Sequence, residues 1–254
     1  MIITFGMNNK LKSSILFVFL LLFFSDFGSA QEKFVEGSNR FKIGGLGYVS
    51  LGYSFNLGNS LEKNLEKTFL LNSSLPSFGY NIGGGGYFLF ERKFIVSGNG
   101  FGLNFQNVIN KSNEMSFGGG GGGFSFGYIA YNRYDWMIFP SIGFGGMAVN
   151  MNIRNTADSL IYFGDFEIPI RTETEFNFSQ SYLDIGVSAH KLIRIGNTIE
   201  KANGISFGLS VGYIAGLGEH QWQQNGTEVN GLNPSKYNSF YIKMSIGGGW
   251  FLVR

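Results

Sequence analysis

The chain has 254 residues, with 39 Gly, 28 Phe, 12 Tyr and 3 Trp against only 19 basic and 17 acidic residues, and no Cys. Gly at ~15% is about double the usual ~7%, but it lacks a three-residue period, and four Pro are too few for a polyproline segment; collagen-like and Pro-rich chains are excluded. The aromatic content excludes a disordered chain, zero Cys excludes disulfides, thiolate metal sites and a lipid on Cys, and a formal charge of +2 gives nucleic-acid binding no support.

In chain order, the first thirty residues read as an address. Lys10 and Lys12 precede an apolar run from Ile15 to Phe24, and Gly28-Ser29-Ala30 places small residues before a cut. A basic head, a short apolar run and a small-residue site describe a secretory signal peptide. The run is too short for a spanning helix, which needs about 20 apolar residues. The expected organisation is a signal peptide over 1–30 cleaved near Ala30, a short periplasmic lead over 31–39, and a single domain over 40–254.

That domain repeats one pattern. In 41–57, Phe41, Ile43, Val49, Leu51, Tyr53 and Phe55 fall on odd positions, and Lys42, Gly44, Ser50, Gly52 and Ser54 on even ones. Successive strand side chains point to opposite faces, so this is a strand with one greasy and one small or polar face. Similar segments follow at 77–90, 94–106, 116–131, 136–152, 176–192, 204–215 and 239–252. Eight strands are expected, most longer than the ~5–6 residues usual in soluble sheets. The connections alternate: short after strands 2 and 4, long at 58–76, 153–175 and 216–238, which is the pattern of an up-and-down barrel.

The strands carry almost no charge. Lys42 and Lys243 lie on the less apolar face, and strand 6 holds Asp184 and Lys191. A soluble barrel would have little to show to water, whereas a closed barrel in lipid satisfies its backbone and meets hydrocarbon with its greasy face. Phe90 and Phe94, Tyr131 and Trp136, and Trp250 and Phe251 sit at strand ends, where an interfacial aromatic girdle is expected. The expected fold is therefore all-β, an eight-stranded antiparallel up-and-down transmembrane barrel.

On these features (signal peptide, eight alternating segments, short and long connections, an aromatic-rich last strand over Phe240–Val253) the chain resembles the small eight-stranded outer-membrane barrels of the OmpA and OmpX type. The resemblance implies the outer membrane of a Gram-negative bacterium, outer-membrane lipid around the wall, and insertion by the outer-membrane machinery. That machinery reads a terminal aromatic in the family; here the chain ends Trp250-Phe251-Leu252-Val253-Arg254.

Candidate chemistry is sparse. The Gly runs 83–86, 118–123 and 247–249 precede no helix, so a phosphate loop is not indicated. They suit curvature in a narrow barrel, or a Gly/Ser-lined interior that accepts a small hydrophobic ligand. Ser188, His190 and Asp184 share one face of strand 6, a hydrolytic constellation on paper. At ~3.3 Å per residue, however, Asp184 lies about 20 Å from His190 along the strand. Ser188 and His190 thus stand as weak catalytic candidates for a lipid-modifying enzyme, the least favoured reading. No metal or cofactor is expected. Loop 153–175 holds Leu160, Ile161, Tyr162 and Phe163, then Phe166 and Ile168, with Gly164-Asp165 between them as a turn. This hairpin, together with Trp222 in loop 216–238, is the expected contact region for a protein partner. The leading expectation is a non-enzymatic barrel with an envelope-structural or surface-interaction role; the alternative is a ligand-binding or transport barrel.

Overall fold

Long alternating segments, each greasy on one face, can satisfy their backbone groups and avoid free edges by closing on one another. In the computed structural model they do. It describes residues 41–56, 78–105, 107–110, 113–133, 135–155, 161–163, 166–168, 173–195, 201–229 and 234–253. The eight long strands are β1 (Phe41–Asn56), β2 (Phe78–Phe90), β3 (Phe94–Phe105), β4 (Asn113–Tyr128), β5 (Trp136–Asn155), β6 (Thr174–Arg194), β7 (Lys201–Leu217) and β8 (Asn238–Val253). Each pairs antiparallel with its sequence neighbour, and β8 pairs with β1, so the sheet is a closed barrel. The expected signal peptide, the lead over 31–39 and loop 58–76 lie outside the described residues.

Register gives the geometry. The ladder that starts at Gly45 runs through Phe88, Val96, Phe126, Ile142, Ile185, Tyr213 and Phe240, and returns to β1 at Phe55, a stagger of ten residues. With ~3.3 Å per residue and ~4.8 Å between strands, the strands tilt by about 40°, within the range of natural barrels. Most of the members of that ladder point outward. Phe126 is 64% exposed and Ile142 53%, whereas the inward Tyr87 is 5% exposed. The wall is apolar outside and filled inside.

Tight turns close one end. Glu91 and Arg92 both have positive φ (50° and 64°) in the link from β2 to β3. Tyr131–Arg133 folds back on the first residues of β5, with Asp135 at φ 65°; β4 accordingly ends at Tyr128, short of the expected 131. The opposite end carries the longer connections. It includes a hairpin of Gln223–Gln224 on Thr227–Glu228 whose Asn225 and Gly226 both take positive φ, the signature of a type I′ turn.

Two face assignments change. The register shifts between Phe41 and Ile43. A one-residue slip moves a side chain to the other face, and Phe41 turns inward, fully buried. The glycines divide as well. Gly83, Gly85, Gly119, Gly121 and Gly123 face the lumen, where an added Cβ would come within 2.4–2.6 Å of a neighbouring carbonyl at Gly83, Gly119, Gly121 and Gly123. Gly98, Gly100, Gly102 and Gly146 share the outward parity and have room for one. The Gly/Ser content is thus not confined to the inner face.

Candidate functional site

The inward residues form three layers. Near the turns, Phe41, Leu89, Ile95, Met137, Leu192 and Phe251 pack as one apolar cluster. Phe105, Phe117, Met151, Phe178, Trp222 and Tyr237 belong to a second cluster toward the long loops. Between them lies a polar layer around a cavity of about 60 Å³.

The polar layer holds two charged residues, Asp184 and Lys243. Asp184 accepts a hydrogen bond from the Tyr241 hydroxyl (3.0 Å). The Lys243 ammonium sits over the rings of Tyr241 (4.1 Å) and Phe101 (5.1 Å). Ser188 and Ser210, register partners on β6 and β7, share a 2.8 Å hydrogen bond, and Ser97 bonds Ser125 across β3 and β4. Cross-strand neighbours on one face stand ~4.5–5.5 Å apart, so paired serines meet without strain.

Asp184, Ser188 and His190 all point inward from β6, as parity implies, but no hydrogen bond joins them. The Ser188 hydroxyl is engaged by Ser210 and the Asp184 carboxylate by Tyr241. His190 is enclosed by rings: stacked on Phe139 (5.8 Å, 13°), edge-on to Tyr87 (5.3 Å, 74°) and 6.1 Å from Tyr48. A nucleophile needs its base within hydrogen-bond reach; this serine and histidine are held apart by better partners. Among the described residues there is no cluster of metal-ligating side chains.

Both ends of the lumen are latched. At the turn end, Asn132 crosses from the β4–β5 link to the first residue of β1. Its Nδ2 donates to the Phe41 carbonyl (2.9 Å) and its Oδ1 accepts from the Phe41 N–H (3.3 Å). Arg194 donates through Nε to Asp135 (2.8 Å), tying β6 to the same link. At the loop end, Gln180 holds the backbone of Tyr237 with both amide atoms, donating to its carbonyl (2.9 Å) and accepting from its N–H (3.0 Å). His220 and Ser235 exchange backbone bonds, and the Trp222 indole donates to Ser235 Oγ (3.0 Å). Burial pushes the Tyr237 phenol up to about 12, with the hydroxyls of Ser239 and Ser54 pulling it partly back.

The expected contact and girdle residues are sorted by this arrangement. Trp222 is not offered to a partner: it is fully buried, edge-on to Phe178 at 4.7 Å, because residues 218–229 and 234–237 fold into the barrel mouth. The hairpin in loop 153–175 is present as Ile161–Phe163 paired with Phe166–Ile168, in register Ile161 to Ile168. Leu160 and the Gly164-Asp165 turn lie outside the described residues. Phe94, Tyr131, Trp136 and Trp250 are exposed at the turn end, Phe90 stacks on Phe94 (5.5 Å), and Lys191 lies over Trp136 (5.5 Å). Phe251 is not a girdle residue. It alternates with Trp250, points inward, and packs against Phe41 at 4.6 Å.

Sequence reasoning passed over Tyr241, Asn132 and Gln180. Lys243 and Asp184 did carry a signal, as the charges at inward parity near the middle of otherwise charge-free strands.

Comparison with known proteins adds no family: no family model and no curated protein matches the chain. Solved structures that are similar include Ail, the attachment invasion locus protein of Yersinia pestis (8% identity over 81% of this chain and 98% of that one, TM-score 0.43). Neisserial surface protein A is another (8%, 81% and 95%, TM-score 0.41). A third is OprG from Pseudomonas aeruginosa (7%, 85% and 99%, TM-score 0.35).

Proposed function

We propose that the protein is a Gram-negative outer-membrane barrel with an envelope-structural or surface-interaction role, exercised at its long-loop end rather than through its lumen. The signal peptide ending near Ala30 delivers it, the insertion machinery places it, and lipid surrounds its apolar wall. The observation that carries this reading is the double closure. Apolar clusters and backbone latches occupy the lumen at both ends, and the space between is about 60 Å³ and polar. An eight-stranded interior has room for its own side chains or one small ligand, and here the side chains take it. That leaves a hydrophobic ligand without a lumenal site, and leaves the outer loops as the part free to act. A bilayer has no use for an apolar wall unless the wall is in it: backbone groups are satisfied by closure and the charges collect at turns and loops.

The test is photo-crosslinking on intact cells from position 162 in the 161–168 hairpin and from position 225 at the type I′ turn. The expected outcome is a discrete adduct from at least one position and an envelope defect when 156–172 is deleted. No adduct from either position, with no envelope defect in the deletion strain, would remove the interaction role.

A further inference from the structure

We propose that the turn end of the barrel is a binding rim for anionic phospholipid, built around the row Arg133–Trp136–Lys191. Trp136 is register partner to Arg133 on one side and to Lys191 on the other, so the three side chains stand together on the outward face. The Lys191 ammonium lies 5.5 Å from the centre of the Trp136 ring, and Trp136 is 41% exposed. Above this row the outward faces of β5 and β6 carry no charge until Arg154 and Glu175. The positive charge continues around the circumference: Lys42, Arg92, Lys93 and Lys201 are exposed at the same end. The acidic residues there, among those described, are Glu91 and Asp135, and Arg194 already holds Asp135. At the loop end the balance reverses. Glu114, Glu173, Glu175, Glu219 and Glu228 stand against Arg154 and Lys236 among the described residues.

Depth and charge select the occupant. Two inter-strand spacings of ~4.8 Å put the Arg133 and Lys191 backbones about 10 Å apart, a gap that two long side chains close on one phosphate. A guanidinium binds phosphate oxygens in pairs, an ammonium binds them as a point charge, and an indole sits at headgroup level. An anion held here has the apolar wall directly above it, beginning with Ile138 and Ile142 on β5, so it is the headgroup of a lipid and not a soluble ion. A zwitterionic headgroup brings its own cation into a rim that is already positive. An anionic one brings none, and basic side chains at a membrane surface draw anionic lipid. The acidic loop end offers such a lipid nothing comparable, so the preference belongs to the turn end. This inference rests on the membrane reading of the wall and adds which lipid meets one end of it.

The test is tryptophan quenching by dibrominated lipid, which acts on contact. In a Trp250→Phe background Trp136 is the reporter, since Trp222 is fully buried. The mature protein is refolded into vesicles of dibrominated phosphatidylcholine mixed with unlabelled phosphatidylglycerol, and into the reverse mixture. Phosphatidylglycerol is expected to be enriched at Trp136 by about fivefold or more, the factor that one basic residue contributes near an anionic surface. Arg133→Gln/Lys191→Gln is expected to bring the ratio within about twofold of one, and Lys191→Gln alone to an intermediate value. Arg154→Gln at the loop end is expected to leave it unchanged, and every variant to keep its heat-dependent shift on a gel. Equal occupancy by the two lipids before the charges are removed, or a ratio unmoved by removing them, would overturn the rim. So would collapse of the ratio on replacing chloride by inorganic phosphate at equal ionic strength, since that would assign a soluble anion to the row. Quenching by either lipid, whatever the ratio, reports contact with the bilayer; no quenching from both would overturn the membrane reading and the rim with it.

Discussion

Ile142→Arg places a charge on the outward wall of β5, where Ile142 lies 53% exposed between Phe126 and Ile185 in the ladder. Trp136, six residues earlier on the same strand, marks the turn-end girdle. Six residues at ~3.3 Å, inclined by about 40°, rise about 15 Å, which is near the middle of an apolar band ~25 Å tall. Arg at that depth costs ~2–4 kcal/mol, falling to ~0–1 kcal/mol near an interface. Ala148 shares the strand and the outward face, but it is twelve residues from Trp136. At about 30 Å it stands beyond the band, so Ala148→Arg belongs to the inexpensive class. Expressed as equilibrium constants, Ile142→Arg lowers folding by roughly 30- to 1,000-fold and Ala148→Arg by fivefold or less, at ~1.4 kcal/mol per decade. Guanidinium titration of protein refolded into lipid vesicles, followed by tryptophan fluorescence, measures both. Equal costs at the two positions would refute the depth assignment, and no cost at either would refute the lipid-facing wall.

The glycine faces make a second pair. Gly121→Ala drives a Cβ to 2.6 Å from the Gly146 carbonyl oxygen and 2.7 Å from Met147 Cβ, and is expected to destabilise by ~1–3 kcal/mol in the same titration. Gly100→Ala meets nothing nearer than 3.7 Å and is expected to be neutral or to stabilise by up to ~1 kcal/mol through the unfolded chain. Trp222→Ala removes the anchor of the mouth segment and the indole hydrogen bond to Ser235 Oγ; protease digestion should then cut between 218 and 237 while the barrel core stays intact. Tyr237 has its phenol raised from 10.0 to about 12 by burial. Its contribution is therefore complete below pH 10 and is lost as the pH rises through 12. Tyr237→Phe should flatten that part of the protease-sensitivity profile.

Much of the barrel is readable because period-two alternation survives in β2, β7 and β8, where a large apolar residue reports most outward positions. Where the side chain is absent, so is the report. Gly118–Gly123 carries no parity, and its division between lumen and wall had to come from strand pairing. Alternation also fails at a bulge, which is why Phe41 reads as outward and sits inside. Phe251 sits beside Trp250 in sequence, but adjacent strand residues face opposite ways, so only Trp250 reaches the outer girdle. The site was less legible. Ser188, His190 and Asp184 do share a face, but their partners Ser210, Tyr87 and Tyr241 come from other strands. The latch between Asn132 and Phe41 joins residues 91 apart in sequence. Trp222 reads as a surface contact because nothing local in the sequence shows that it packs back onto Phe178.

Membrane embedding is the claim on which the remainder rests, and heat-dependent mobility measures it directly. The membrane fraction is taken into cold dodecyl sulfate and compared, on one gel, with the same sample after boiling. A closed barrel with this wall is expected in the membrane fraction, running at a different position before boiling than after, with protease on whole cells cutting only in the long loops. Recovery of the mature chain as a detergent-free soluble monomer, with no heat-dependent shift, would show that the apolar wall faces something other than lipid.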